Sequence, residues 1–194
     1  MKKILVLFVV LILTACHSIK YTHSGNVNSR LDFKKGKWLL HTVEAPKSIK
    51  ESLTNIANEK FIALLGNRFS DVNTTRGILL PANITTNLNK TDLRDIKNGT
   101  GYDFFIKINA TVISDEVGDL EIGKVISSVE NIGEIRIDIY DLNLLDILYS
   151  QSVIGRMHIS ESNDNLAFST STNNIIIKGF KRIMKNIHEN QIKN

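Results

Sequence analysis

Gly101-Tyr102-Asp103-Phe104-Phe105-Ile106-Lys107-Ile108-Asn109-Ala110-Thr111-Val112-Ile113-Ser114-Asp115 is the stretch that decides how this chain is read. From Tyr102 onward it alternates with a period of two. Phe104, Ile106, Ile108, Ala110 and Val112 share one face; Phe105, Lys107, Asn109, Thr111 and Ile113 share the other. An apolar face backed by a mixed one is the pattern of a strand that buries one side in a core. Asn98-Gly99-Thr100-Gly101 breaks whatever precedes it.

Downstream, Glu134 to Tyr140 alternates in the same way, and Ile147 to Gly155 follows after Asp141 to Asp146. Strands this close in sequence pair antiparallel. Glu116 to Gly133 reads as a long hairpin excursion and Met157 to Phe168 as a polar loop. Upstream, Trp38 to Ala45 predicts a first strand ended by Pro46, and Arg76 to Pro81 a short second one, followed by polar loop from Asn83 to Asn89. Between these two strands Ile49, Leu53, Ile56, Ala57, Phe61, Leu64 and Leu65 recur at helical spacing. Ser48 and Glu51 form a capping-box pattern before that stripe, and Gly66 supplies its stop. Thr91 offers a cap for a brief helix, Asp92 to Lys97, with Leu93 and Ile96 inward. Thr170 to about Ile187 closes the chain as a helix with Ile176, Phe180, Ile183, Met184 and Ile187 on its core side. Lys178, Lys181, Arg182 and Lys185 face water there, and Gly179 allows close packing on the sheet. The order β-α-β-α-β-β-β-α predicts one layered α+β domain, a mixed sheet with helices on one face.

The N-terminus is of another kind. Lys2 and Lys3 precede an unbroken apolar run, Ile4 to Leu13, about half the ~20 residues that cross a bilayer. Charge, apolar run and small residues in that order make a secretion signal. Leu13-Thr14-Ala15-Cys16 resembles the lipobox of bacterial lipoproteins. The resemblance implies cleavage before Cys16 and attachment of a diacylglyceryl group, with palmitate, to its sulfur. His17 in place of Asp is similar to the outer-membrane sorting choice of many Gram-negative bacteria, which implies a domain facing the periplasm. The expected organisation is residues 1–15 as cleaved signal peptide, 16–37 as lipidated Cys16 and flexible tether, and 38–194 as the globular domain. Within the tether, Arg30, Lys34, Lys35 and Lys37 are interrupted by Asp32 and read as a solvated run, and His17 and His23 lack a third ligand for a metal.

Composition narrows the function. The formal charge of +4 falls by two when Lys2 and Lys3 leave with the signal, too small an excess for nucleic-acid binding. The single cysteine, committed to lipid, leaves none for disulfides, metal thiolates or a thiol nucleophile.

From Trp38 to Ile187 the chain resembles a group of bacterial envelope lipoproteins and periplasmic domains: the curli-secretion channel lipoprotein, the penicillin-binding-protein activators and the N-terminal domain of the Tol propeller protein. The residues that carry this are Gly101-Tyr102-Asp103-Phe104-Phe105-Ile106, and Ile135-Arg136-Ile137-Asp138-Ile139-Tyr140-Asp141-Leu142 running into Leu148-Tyr149-Ser150 and Gly155. The last hairpin carries Asn143-Leu144-Leu145-Asp146 where the group has Thr-Gly, and Ala45-Pro46 lacks the group's following Phe. Channel formation and binding residues are not carried over.

The acidic cluster Asp115, Glu116, Asp119 and Glu121 does not follow the ligand alternation of a calcium loop. Asp138, Asp141 and Asp146 carry no specific spacing, and His41, His158 and His188 are scattered, read as surface or satisfied histidines. The expectation is therefore no catalytic, metal or cofactor site, with Cys16 as the one functional residue. It is a lipid-anchored, non-catalytic subunit that binds an envelope protein partner and the membrane, but no nucleic acid. The alternatives are a ligand-binding or weakly catalytic lipoprotein with a cleft at the acidic excursion, and a homo-oligomeric secretion component.

Overall fold

The computed structural model describes residues 19–25, 31–85, 87–115, 128–160 and 170–192. Six strands, β1 (Lys20–Gly25), β2 (Trp38–Leu40), β3 (Phe69–Asp71), β4 (Phe104–Asp115), β5 (Ser128–Asp141) and β6 (Asp146–Ser160), form one sheet. Among the described residues three α-helices accompany them: α1 (Lys47–Leu65), α2 (Lys90–Thr100) and α3 (Thr172–Asn190). The strand order is β1-β6-β5-β4-β2-β3. β1, β6, β5 and β4 pair antiparallel, whereas β2 pairs parallel with both β4 and β3. The fold is α+β with a mixed open sheet, and from β2 onward the elements follow the expected order.

The alternation in β4 does what its pattern dictates. Ile106, Ile108 and Ala110 join Ile135, Ile137, Ile139 and Val153 in the main core, roofed by α1 through Leu53, Ala57 and Phe61 and by α3 through Ile176, Phe180 and Ile183. Trp38 is fully buried there, stacked on Phe104 at 4.1 Å, and its Nε1 donates to the Lys35 carbonyl at 2.9 Å. Three glycines let α3 down onto the sheet: a Cβ on Gly179 would meet Ile135 Cγ2 at 2.8 Å, and on Gly133 and Gly155 would meet Ile176 and Ile175 at 2.6 and 2.3 Å. Gly133 and Gly155 are cross-strand partners, so the seat is a pair.

The two long helices lie on one face as expected; α2 does not. Phe105, Leu39 and Tyr140, each the neighbour of a main-core residue and therefore pointing oppositely, form a second core with Leu93 and Ile96 of α2. Ile78 and Leu80 pack against that core from a loop. This corrects the strand expected over Arg76 to Pro81: Gly77 sits at φ 77° and Leu79 is exposed, held by Leu79 N–H donating to Gly99 O at 3.0 Å. Alternating burial imitated a strand that makes no ladder. The strand beside β2 is instead β3, three residues long and too short to show a period.

Two caps also differ. Pro46 occupies the N-cap of α1 with no side-chain hydrogen bond, so Ser48 falls inside the first turn and its hydroxyl donates to Asn173 at 3.2 Å. The capping box belongs to α2: Asn89 Oδ1 accepts from the N–H groups of Thr91 and Asp92, and Asp92 Oδ2 accepts from Asn89 N–H. Residues 157–160, expected as loop, extend β6.

The largest correction concerns the expected tether. Lys20–Gly25 is the edge strand β1, in register with β6 from Lys20↔Arg156 to Gly25↔Gln151. Leu31 and Phe33 are buried in the main core, and the Leu31 carbonyl accepts from Ile192 N–H at 3.1 Å. Polar composition concealed these anchors because an edge strand needs few apolar residues; its ladder hydrogen bonds are made by the backbone. Cys16 and the rest of residues 1–18 lie outside the described residues.

Candidate functional site on the open face of the sheet

Beyond the ground covered by α2, the second face of the sheet carries mostly polar side chains, with Ile154 beside them. Period two in β4 and β5 places them in cross-strand pairs, Lys107↔Asp138, Asn109↔Arg136 and Thr111↔Glu134. Ser150 and Ser152 of β6 continue the rows. The β4 and β5 residues line a cavity of about 270 Å³.

Its charges are held in place. Arg136 Nε donates to both carboxylate oxygens of Asp138, at 3.0 and 2.9 Å, and Asp138 is itself buried. Lys107 is 4% exposed, and its ammonium donates to the Thr85 carbonyl on the covering loop. Asn109 Nδ2 donates to Glu44 at 2.8 Å, and Ser152 Oγ to Glu134. Burial pushes the Lys107 amine below its ordinary value, against the opposing pull of Glu44 and Asp138. Burial also lowers His41, whose ring lies 5.4 Å from that of Phe105, and the Lys107 charge adds to the effect. His41 Nδ1 is buried with no hydrogen-bond partner among the described residues, unlike the satisfied histidine expected. Tyr140, deeper in the second core, is pushed up to about 12 by burial and by the nearby Asp138.

Of the residues singled out in the sequence, only Asp138 belongs to this site. Asp141 accepts from the N–H groups of Asn143 and Leu144 and shapes the β5–β6 turn, and Asp146 accepts from Ile147 N–H. Asp141 and Asp146 are cross-strand partners beside that turn, while Asp138 alone lines the cavity. Asp115 ends β4 and accepts from the Thr172 hydroxyl at 2.6 Å, while Glu116, Asp119 and Glu121 lie outside the described residues. His158 and His188 are exposed. Lys107, Asn109, Glu134 and Arg136 were missed as a group, although the two-residue period was there to align them. The register that brings the two strands together was not.

A second concavity, about 370 Å³, runs between α1 and α3, with Ala63, Leu64 and Met184 between Lys60, Lys181, Lys185 and His188. Among the described residues no cluster of three His, Cys, Asp or Glu side chains is placed to hold a metal ion, and no helix is long and apolar enough to cross a membrane.

No protein-family model and no curated protein matches the chain. Among solved structures it is similar to the PelC dodecamer from Paraburkholderia phytofirmans, at 9% identity and a TM-score of 0.42 over 86% of this chain and 98% of that one. It is also similar to lipoprotein GNA1162 from Neisseria meningitidis, at 12% identity and a TM-score of 0.38 over 77% and 99% of the two chains. Protein XCC0632 from Xanthomonas campestris is similar at 10% identity and 0.37 over 81% and 90%. At these values no residue role is transferred.

Proposed function

We propose that this chain is a cell-envelope lipoprotein, anchored through acylated Cys16 in the outer membrane and facing the periplasm, whose domain is a non-catalytic accessory or assembly subunit. It engages a protein partner through the open face of the sheet. The observation that carries this is the state of the charges there: Lys107, Arg136, Asp138, Glu134 and Glu44 each have an intramolecular partner. Groups already fixed lose little freedom on docking, which favours recognition. A reaction would need a nucleophile or base free to act, which these five charges are not. Leu13-Thr14-Ala15-Cys16 supports the anchor, and His17 the outer-membrane destination.

The test is site-specific photocrosslinking in intact cells. A crosslinker at exposed Thr111 is expected to capture one defined partner, a crosslinker at exposed Lys50 of α1, on the opposite face, is not, and Cys16→Ala is expected to weaken capture by releasing the domain. No partner from Thr111 in the anchored protein would sink the docking reading. Self-association is a second reading, favoured by the sheet edges that β1 and β3 form among the described residues. Sizing of the lipid-free mature chain as a monomer would remove it.

A further inference from the structure

β1 changes where the anchor holds the domain. Tyr21 in β1 lies beneath Arg182 of α3, whose Cζ is 4.2 Å from the ring centroid, and the Tyr21 hydroxyl donates to the Ile175 carbonyl at 3.4 Å. Five residue steps separate Cys16 from Tyr21, a span of at most about 18 Å fully extended. A lipid on Cys16 therefore keeps this edge of the sheet, and the helix beside it, close to the bilayer.

That helix presents one sign of charge. Lys178, Lys181, Arg182 and Lys185 fall at i, i+3, i+4 and i+7, one side of α3, and all are exposed. From Thr172 to His188 the helix contains no Asp or Glu. Lys60 of α1 lies across the groove from Lys181 and Lys185. Lys185 meets Glu189 at 3.7 Å and Lys60 meets Glu59 at 3.1 Å, both pairs exposed and readily exchanged for other anions. Lys178 and Lys181 have no ion pair among the described residues.

From the short reach of the anchor and this basic stripe together, we infer that α3 lies against anionic lipid headgroups through Lys178, Lys181, Arg182 and Lys185. The inference rests on the lipidation of Cys16 proposed above. Each Lys or Arg near an anionic surface strengthens association several-fold, and salt screens it over about 10 Å. The anchor gives membrane attachment; the stripe gives orientation, leaving the open face of the sheet on the side away from α3.

The experiment uses the full lipidated protein in phosphatidylcholine vesicles with or without phosphatidylglycerol, footprinted with an amine-reactive reagent and read by mass spectrometry. Lys178, Lys181 and Lys185 are expected to react several-fold more slowly on the anionic vesicles, with the difference lost at high salt. Lys90, on α2 across the sheet, reacts equally on both. The double variant K178E/K181E, altered only at exposed positions, is expected to remain membrane-bound but to lose the protection at Lys185. Equal labelling of the three α3 lysines on both vesicles, with Cys16 acylated, overturns the inference and leaves the anchoring intact. The same spectra report the Cys16 peptide, and an unacylated Cys16 would overturn the anchoring reading and this inference with it.

Discussion

Gly155 shows how much a missing side chain decides in this protein. It sits in β6 opposite Gly133, and a Cβ there would come within 2.3 Å of Ile175 Cγ2 and 2.7 Å of the Tyr21 ring. Gly155→Val is expected to destabilise the fold by about 1 to 3 kcal/mol through overpacking beneath α3, read as a lower urea midpoint. A midpoint equal to that of the parent would mean that α3 is not seated on the glycine pair. His41 sets an acid limb. Its pKa is lowered from 6.5 in the folded state, mainly by burial, so between the folded value and 6.5 the unfolded chain binds a proton that the folded one does not. The penalty is fully present below the folded pKa and is lost as pH rises to 6.5, so stability rises with pH through that window. His41→Leu is expected to flatten that part of the curve, measured by urea unfolding from pH 7 downward; an unchanged slope would clear His41 of the role. Gly179 was legible as a close-packing position from the helical stripe around it, whereas the cross-strand pairing of Gly133 with Gly155 was not, because register is a property of two strands.

At the scale of elements, long periodic segments announced themselves and short ones did not. β4, α1 and α3 bury the stripes their sequences display. β3, with three residues, has no period to read, and the alternation of Ile78, Leu79 and Leu80 belongs to a loop laid on the second core. Caps followed geometry more than motif: Ser48 and Glu51 match a capping box, yet with Pro46 at the N-cap α1 starts two residues too early for it to form. The box at Asn89 and Asp92 does form and holds α2 over Phe105 and Tyr140. Asn89→Ala is therefore expected to cost about 1 kcal/mol, with faster amide exchange concentrated in α2. Exchange raised uniformly across the sheet instead would show that α2 does not unfold locally.

For the whole molecule, the boundary of the domain is the question with most consequence. A chain starting at Trp38 would keep every segment read as structured from the sequence, but would lose β1 and the buried side chains of Leu31 and Phe33. Each of those two side chains contributes about 1.5 to 3 kcal/mol by burial, before the β6 edge is exposed. Trp38–Asn194 is expected to melt about 10 °C or more below the chain from His17 to Asn194. Equal melting temperatures would restore the reading of a free tether. The sequence by itself determined the α+β class, the order of elements from β2 onward and the core stripes, because each is written in local periodicity. Only the tertiary structure decided that α2 takes the opposite face, that Lys107, Arg136 and Asp138 share one cavity, and that residues 20–25 close the sheet beside the basic side of α3. These depend on backbone hydrogen bonds and on register between distant segments, and such contacts leave no periodic trace along a single chain.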